Sequence, residues 1–380
     1  MPMILDRFRH KLDVQRQSGL FRDPPVIDRR EGKYVFSNGA RLLNFASNDY
    51  LGLGASDALR RKVARNFERY GASSSSSRLV SGNYALIKQA EAAYAQHFGY
   101  EEALFYPSGY QANLGVLSTL FQPDDTVVFD KHIHASSVKG LVLSGAKVRG
   151  YNHSSFAHLE RRLRYSIGPV GVVTESLFSM DGDSLDCDAM QALRKSYEFL
   201  CVVDEAHAFG AVGPGGRGLA TAVADVAVGT FGKALGLFGA FALMSSELKS
   251  YLLNFSSAQI YTTTLPEAHA ASTLDVLDLI GDAQAKRQHL RDLGRYFAQS
   301  LKARGFSTSG DAHIMAVEIG DEQIAVEMAQ KLHKCGLFVL PARYPTVPLQ
   351  RAILRVSLTA LHQRKDVDRL ADKLEEARSG

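Results

Sequence analysis

Seven short apolar runs, separated by longer amphipathic stretches, occupy the chain between about residue 100 and residue 246. In order they are EALFY, TVVFD, AKVRGY, GVVTES, FLCVVDEAH, DVAVGT and GAFALMSS. Continuous apolar runs that alternate with helix-length segments are typical of buried strands in a mostly parallel sheet. The pattern therefore predicts an α/β fold in which ligands gather at the carboxyl ends of the strands.

The pattern changes after Pro266, where a long helical stretch is followed by HIMAVEI, a further helix, GLFVLPA, AILRVSL and a terminal helix. This mixture predicts a smaller α+β domain. We expect three segments. They are an N-terminal arm at 1–45 that packs on the rest or on a second subunit, a large domain at 46–265 and a small domain at 266–380.

Charge and cysteine content exclude several classes of protein. The 380 residues carry 44 Lys and Arg against 40 Asp and Glu, a net charge of +4 with both signs interspersed, which does not indicate nucleic-acid binding. No segment reaches 18 apolar residues, and charged residues stand where a secretory signal needs its apolar stretch, so we predict a cytoplasmic protein without a membrane partner. Cys187, Cys201 and Cys335 form no C-x-x-C pair and are predicted to be reduced thiols.

Other familiar motifs are incomplete. The run VDEAH at 203–207 resembles the acidic strand end of a helicase-type ATPase, but Gly232-Lys233-Ala234 lacks the spacing and the hydroxyl of a phosphate-binding loop. No G-x-S-x-G elbow is present. His132 and His134 have no Cys or carboxylate cluster at ligand spacing, so no metal site is predicted.

Polar residues follow the ends of three predicted strands. Glu175 and Ser179 follow GVVT, Asp204 ends LCVVD with His207 three residues later, and Lys233 follows DVAVGT. A lysine in such a crevice is costly unless it is neutral or covalently bonded. It can form an imine with an aldehyde, while a nearby aspartate keeps a pyridine nitrogen protonated. The combination predicts pyridoxal 5′-phosphate as the cofactor.

Two further features suit this cofactor. Ser108, Gly109 and Tyr110 follow the run ALFYP at the start of a predicted helix, which suits a phosphate. His134, just after TVVFD, is a candidate to stack on the flat ring. Each residue alone has a plain structural explanation, but their order along the chain points to one site.

The chain resembles the α-oxoamine synthases, which are fold-type I pyridoxal phosphate enzymes that join an amino acid to an acyl-CoA with loss of CO₂. The resemblance covers the chain from about residue 40 to its end. The matching segments are FASNDYLGLG (45–54), SRLVSGNY (77–84), YPSGYQANLGVL (106–117), DKHIHASSVKG (130–140), VVTESLFSMDGDS (172–184), VVDEAHAFGAVGPGGRG (202–218), VGTFGKALG (228–236), IYTTTLP (260–266) and PTVPLQRAILRVSLTALH (345–362). The resemblance implies a large domain that contains a mostly parallel seven-stranded sheet and binds pyridoxal phosphate.

The resemblance also implies the catalytic roles. Lys233 matches the Schiff-base lysine, and Asp204 matches the partner of the pyridine nitrogen. His207 and Ser179 match residues that bond the phenolic oxygen, and His134 matches the stacking residue.

The remaining contacts are implied in the same way. Thr262 and Thr263 match a segment that reaches the phosphate of a neighbouring subunit, so a homodimer with shared sites is expected. Arg355 matches the arginine that binds the amino-acid carboxylate, with Asn48 nearby and Arg22 as a further substrate contact. Other matching cofactor contacts are Ser108, Gly109, Tyr110, Glu175 and Thr230.

Within the family, the short chain and the segment PTVP most resemble members that condense L-alanine with a pimeloyl thioester in biotin synthesis. Leu237 and Phe238 stand where the family has small residues, and the loop Ser73–Ser77 is all serine, so the space for the acyl chain differs. The alternative is a synthase that makes a longer α-aminoketone, such as a signal precursor. An aminotransferase or lyase with the same cofactor is the nearest rival enzyme.

Overall fold

The computed structural model describes residues 3–379. The N-terminal part begins with one helix that is exposed from Ile4 to Gln17, followed by three antiparallel strands. These elements are α1 (Met3–Gln17), β1 (Arg29–Glu31), β2 (Tyr34–Ser37) and β3 (Ala40–Asn44). The two helices that follow are α2 (Asp57–Tyr70) and α3 (Ala85–Phe98).

A seven-stranded sheet forms the centre of the molecule. Its strands are β4 (Glu102–Tyr106), β5 (Thr126–Asp130), β6 (Lys147–Tyr151), β7 (Val170–Glu175), β8 (Leu200–Asp204), β9 (Val226–Thr230) and β10 (Ala240–Met244). The spatial order is β4-β10-β9-β8-β7-β5-β6, and only β10 runs antiparallel to its neighbours. Each of the seven predicted apolar runs contributes one strand, and the predicted mostly parallel α/β sheet is confirmed.

Helices connect these strands and cover the sheet, which explains why the strands read as continuous apolar runs. The connecting elements are α4 (Gly109–Leu120), α5 (Ala135–Ser144), α6 (Phe156–Arg164), α7 (Cys187–Ser196) and a 3₁₀ turn (Pro214–Gly216). Two further helices, α8 (Ser246–Phe255) and α9 (Ser257–Ile260), follow the last strand of the sheet. No helix within residues 3–379 is both long and apolar enough to cross a bilayer.

The C-terminal part is the expected α+β unit. Its elements are α10 (Glu267–Gly281), α11 (Gln284–Ala303), β11 (Thr308–Ser309), β12 (Ile314–Gly320), α12 (Glu322–Lys334), β13 (Leu337–Phe338), β14 (Leu340–Ala342), β15 (Ala352–Ser357) and α13 (Arg364–Ser379). Strands β11, β12, β15 and β14 form an antiparallel sheet in that order. Strand β13 instead pairs in parallel with β3, so the N-terminal strands join the C-terminal part. The predicted segment boundaries remain predictions.

An aromatic cluster fixes the end of β9, which leads to the predicted lysine. Phe231 is fully buried, with its ring centroid 5.0 Å from those of Phe105 and Phe241 and 5.2 Å from that of Tyr94. Aromatic pairs at such distances add to the stabilisation from buried area. The cluster therefore anchors the chain two residues before Lys233.

Candidate active site

Three neighbouring strands end at one cavity of about 210 Å³. Glu175 ends β7, Asp204 ends β8 and Thr230 ends β9, and Glu175 lies directly opposite Asp204 in the strand register. The cavity therefore lies at the carboxyl edge of the sheet, as the sequence predicts for a ligand site. Predicted site residues that line it are Gly109, Tyr110, His134, Glu175, Ser179, Asp204, His207, Thr230 and Lys233.

Lys233 lies in the turn at 231–239 between β9 and β10. Gly236 shapes this turn with a φ of 72°, and a Cβ there would lie 2.5 Å from the backbone nitrogen of Gly54, so glycine is required. Within residues 3–379, the Lys233 amine has no hydrogen bond or ion pair. Burial lowers its pKa to about 8, although the charges of Asp204 and Glu175 oppose the shift. With a pKa of about 8, about a tenth of this amine is neutral and nucleophilic at pH 7, far more than for an ordinary lysine.

Asp204 is buried and held by two donors. Asn113 Nδ2 donates to Asp204 Oδ2 at 2.7 Å, and the Ala206 N–H donates to Oδ1 at 2.9 Å. Glu175 accepts from the His134 N–H at 2.6 Å. Burial and the neighbouring Asp204 raise the pKa of Glu175 well above its usual range. The site thus places two carboxyl groups with different surroundings beside one lysine.

His134 caps the N-terminus of α5, and this fixes its ring. The Ser136 N–H donates to His134 Nδ1 at 3.3 Å, and the Ser136 hydroxyl lies 2.6 Å from the same nitrogen. Burial lowers the pKa of His134, so the ring is neutral, and a neutral ring that accepts at Nδ1 carries its proton on Nε2. His134 therefore presents a flat, neutral ring to the cavity.

His207 is held by a tyrosine from a distant part of the chain. Its Nδ1 lies 2.5 Å from the Tyr50 hydroxyl, which also lies 3.1 Å from Asn48 Oδ1. Burial lowers the pKa of His207 well below its usual range, and burial raises the pKa of Tyr50 to about 12. Both groups are therefore neutral, and Tyr50 fixes the orientation of the imidazole.

Arg355 is a buried cation beside this network. Its Nε donates to the Ser179 carbonyl at 2.5 Å, Nη1 donates to Ser357 Oγ at 2.8 Å and Nη2 donates to Asn48 Oδ1 at 3.3 Å. Arg355 is 4% exposed and forms no ion pair with any carboxylate in the described part of the chain. Since a buried charge without a counter-ion is costly, an anionic ligand would stabilise it.

The first turn of α4 suits a phosphate group. Ser108 is the N-cap, and its Oγ accepts from the Gln111 N–H at 3.2 Å. The N–H groups of Gly109 and Tyr110 have no hydrogen-bond acceptor within residues 3–379. A Cβ at Gly109 would meet only the Thr230 side chain, at 3.7 Å, so the space between them is open. Free N–H groups at a helix N-terminus bind anions.

Six predicted site residues do not line the cavity: Ser108, Asn48 and Arg355, whose contacts are described above, and Thr262, Thr263 and Arg22. Thr262 and Thr263 follow α9 and do not line it, and the Thr262 hydroxyl donates only to the Thr263 carbonyl at 3.4 Å. Arg22 is exposed in the segment after α1. Within one chain, the structure does not bring Thr262, Thr263 or Arg22 to Lys233.

Three residues that support the site were not predicted. Asn113 holds Asp204 and also donates to Ser136 Oγ at 3.0 Å, Ser136 holds His134, and Tyr50 holds His207. Each lies inside a segment that matches the family, but the sequence does not reveal which distant side chain it contacts.

A charged cluster supports the turn that carries Ser179. His153 bonds Asp130 at 2.9 Å through Nδ1 and Asp183 at 3.2 Å through Nε2. Burial opposes protonation of His153, but these carboxylates outweigh it and raise its pKa to about 10. His132, His153 and Asp181 place possible ligand atoms within 4.8 Å of one another, yet the two imidazole rings are stacked at 4.0 Å, whereas metal bonds lie in the ring plane.

These residues fit pyridoxal phosphate. The unpartnered Lys233 amine suits an aldehyde, buried Asp204 suits a protonated ring nitrogen, and the first turn of α4 suits the phosphate. The neutral ring of His134 suits a flat aromatic surface.

The family model described as aminotransferase class I and II matches residues 40–374. The chain belongs to this family. The predicted cofactor, pyridoxal 5′-phosphate, and the predicted fold-type I architecture are thereby confirmed.

Similar proteins indicate which branch of this family the chain resembles. The 8-amino-7-oxononanoate synthase of Chlorobaculum parvum is 39% identical over 373 residues, which cover 94% of this chain and 95% of the relative. The structure of Sphingomonas wittichii serine palmitoyltransferase matches with a TM-score of 0.91 and 30% identity, covering 100% of this chain and 96% of that one. The 8-amino-7-oxononanoate synthase structure from Francisella tularensis matches with a TM-score of 0.78 and 28% identity, covering 89% and 98%. These neighbours are α-oxoamine synthases, so the resemblance seen in the sequence is confirmed, and the chain is an acyltransferase-type enzyme.

Proposed function

We propose that this chain is an 8-amino-7-oxononanoate synthase. It condenses L-alanine with a pimeloyl thioester and releases 8-amino-7-oxononanoate, CO₂ and the free thiol. The observation that carries this choice is the 39% identity, over almost the full length of both chains, to a relative with that name. The similarity to serine palmitoyltransferase supports the shared chemistry but does not select the acyl chain.

Arg355 is suited to bind the alanine carboxylate. It is a buried guanidinium without a carboxylate partner in the described part of the chain, and Asn48 beside it offers a further polar contact. A bidentate arginine–carboxylate pair fixes the orientation of the amino acid as well as its charge. The same contact holds the carboxylate until it leaves as CO₂.

Lys233 is suited to move the Cα proton. Bound pyridoxal phosphate supplies an electron sink for the negative charge that forms at Cα. The amine of Lys233, with a pKa of about 8, can accept a proton near neutral pH and return it later. Asp204, held by Asn113, supplies the negative charge that keeps a ring nitrogen protonated.

The carbon–carbon bond forms between alanine Cα and the thioester carbonyl carbon, and the carbon–sulfur bond breaks as the thiol leaves. Loss of CO₂ then breaks the bond between Cα and the carboxylate carbon, and Cα takes a proton in its place. His207 and His134 are both neutral and can donate hydrogen bonds to oxygen atoms that gain negative charge.

The decisive assay is thiol release by the cofactor-loaded enzyme from a series of acyl-CoA thioesters with alanine, glycine or serine. We expect pimeloyl-CoA with alanine to give the highest kcat/KM, with CO₂ and thiol in a 1:1 ratio. Preference for a long neutral acyl chain would assign the longer α-aminoketone product instead. Formation of a keto acid or ammonia without thiol would show an aminotransferase or lyase.

We also propose that two copies of the chain share their active sites. Large side chains are exposed: Tyr110, which lines the cavity, and Phe238, in the same turn as Lys233, are each 50% exposed, and Tyr261, next to Thr262, is 85% exposed. Exposed apolar patches of this kind mark interaction surfaces. A partner covering them could bring Thr262 and Thr263 to the phosphate end of the neighbouring site.

Hybrid dimers test this arrangement. Lys233→Ala and the double variant Thr262→Ala/Thr263→Ala should each be poorly active at limiting cofactor. After mixing and exchange of subunits, a hybrid dimer contains one site with both Lys233 and the partner threonines, so activity should return. Activity that stays at the average of the two variants would contradict shared sites.

A further inference from the structure

A second cavity, of about 510 Å³, shares no lining residue with the cofactor cavity. Its walls are the glycine-rich turn at 211–215, the first two turns of α11 and the turn at 311–313. The cavity is open to solvent. None of the proposed chemistry uses it.

One wall of this cavity contains a buried cation without a counter-ion. Arg287 is 3% exposed; its Nη1 donates to the Ile280 carbonyl at 2.8 Å and to the Gly210 carbonyl at 3.4 Å, and its Nε donates to Gln284 Oε1 at 3.2 Å. Arg287 Nη2 has no acceptor, and no carboxylate pairs with the guanidinium, among residues 3–379. Burial of an unpaired charge is costly, so the site favours an anionic group.

The other walls restrict the ligand further. Arg291 lies one helical turn after Arg287, lines the same cavity and forms no ion pair in the described part of the chain. Asp311 supplies a negative charge to the same cavity and accepts from Ser184 Oγ at 2.9 Å. Apolar side chains, among them Val212 and Leu290, complete the lining. The cavity therefore offers cationic, anionic and apolar surfaces together.

We propose that this cavity binds a small zwitterion in which a short apolar chain separates a carboxylate from an ammonium group. The carboxylate pairs with Arg287 and Arg291, and the ammonium group pairs with Asp311. The product of the proposed function, 8-amino-7-oxononanoate, is such a zwitterion, and we infer that it is the natural ligand. That choice of natural ligand rests on the proposed function, whereas the binding of a zwitterion does not.

The cavity is connected to the active site through packed side chains. His313 lines its inner wall, and its ring centroid lies 3.9 Å from that of Tyr50, which holds His207. Ser184, which also lines the cavity, belongs to the turn that follows Ser179, whose carbonyl accepts from Arg355. An occupant therefore contacts residues that adjoin the supports of His207 and Arg355, so the site is placed to sense product.

Calorimetric titration of the cofactor-loaded enzyme with 8-aminooctanoate, without any thioester, tests the proposal. We expect binding that weakens about tenfold or more in Arg291→Gln, the equivalent of about 1.4 kcal/mol for one lost charge pair. Binding should persist in Arg295→Gln, a control one turn further along α11 whose arginine pairs with Asp292 instead. Octanoate, which lacks the ammonium group, should bind about tenfold more weakly than 8-aminooctanoate.

Three results would overturn the proposal. They are no binding to the unaltered enzyme, equal binding to Arg291→Gln, and binding that disappears in Arg355→Lys, which would place the ligand in the catalytic site. Equal affinity for octanoate would overturn the role of Asp311. Because this titration involves no turnover, its failure is distinguishable from failure of the thiol-release assay.

Discussion

Replacing Tyr50 with Phe removes one buried oxygen atom from the network that supports His207. Tyr50 is 0% exposed, so no solvent reaches the vacated position, and the ring of Phe fills the same space. His207 Nδ1 then loses its 2.5 Å partner. Leaving a buried polar atom unsatisfied costs about 1–3 kcal/mol.

The same free energy sets the expected loss of activity. If the bond to Tyr50 holds His207 in its working orientation, the loss of about 1–3 kcal/mol corresponds to a fall in kcat of about 5- to 150-fold. The free energy of unfolding should fall by a similar amount. KM for alanine should change less than kcat, because Arg355 keeps two of its donors engaged with Ser179 and Ser357.

Tyr94→Phe is the matched control. Tyr94 is also fully buried, and its hydroxyl donates to the Thr273 carbonyl at 3.0 Å, away from the cofactor cavity. Urea unfolding and steady-state kinetics of both cofactor-loaded variants should show reduced stability in each but reduced kcat only in Tyr50→Phe. Equal kcat values in the two variants would refute the positioning role of Tyr50.

Further predictions concern Lys233, His153 and Arg355. Loading of pyridoxal phosphate, followed by absorbance, should accelerate as the pH rises through about 8, where the Lys233 amine loses its proton, and a pH-independent rate would contradict its lowered pKa. Because the folded protein raises the pKa of His153 to about 10, its stabilising contribution is complete below its ordinary value of about 6.5 and is lost as the pH rises through about 10. Urea unfolding should therefore show His153→Asn to be less stable than the unaltered chain at pH 6, with the difference shrinking as the pH rises above about 6.5 and lost beyond about pH 10; a constant difference would exclude the charge effect. Arg355→Lys should raise KM for alanine about 10- to 100-fold, with a small change in KM for the thioester, because lysine cannot pair with a carboxylate in bidentate fashion; equal changes in both KM values would argue against this role.

The sheet could be predicted because its strands are short apolar runs bounded by turn residues. Their pairing could not be predicted in full. The antiparallel direction of β10 depends on how the chain returns after Lys233, and the pairing of Leu337–Phe338 with Leu43–Asn44 joins segments almost 300 residues apart. Two-residue strands carry no periodic pattern of their own, so tertiary contacts decide their partners.

The site residues at the ends of strands could be predicted from the sequence. The residues that hydrogen-bond to them and fix their orientation could not. Glu175, Asp204 and Lys233 follow apolar runs, and this position alone brings them to one edge of the sheet. Tyr50 reaches His207 across 157 positions of sequence, and such side-chain contacts follow from packing alone. The expected contacts of Thr262 and Thr263 require a second chain, so a single chain cannot test them.

The covalent role of Lys233 is the most direct test of the whole account. Borohydride reduction of the cofactor-loaded enzyme, followed by mass mapping of its peptides, should find the pyridoxyl group on Lys233. The Lys233→Ala variant should carry no such label. A label on another lysine, or no label in enzyme whose absorbance shows bound cofactor, would contradict the account.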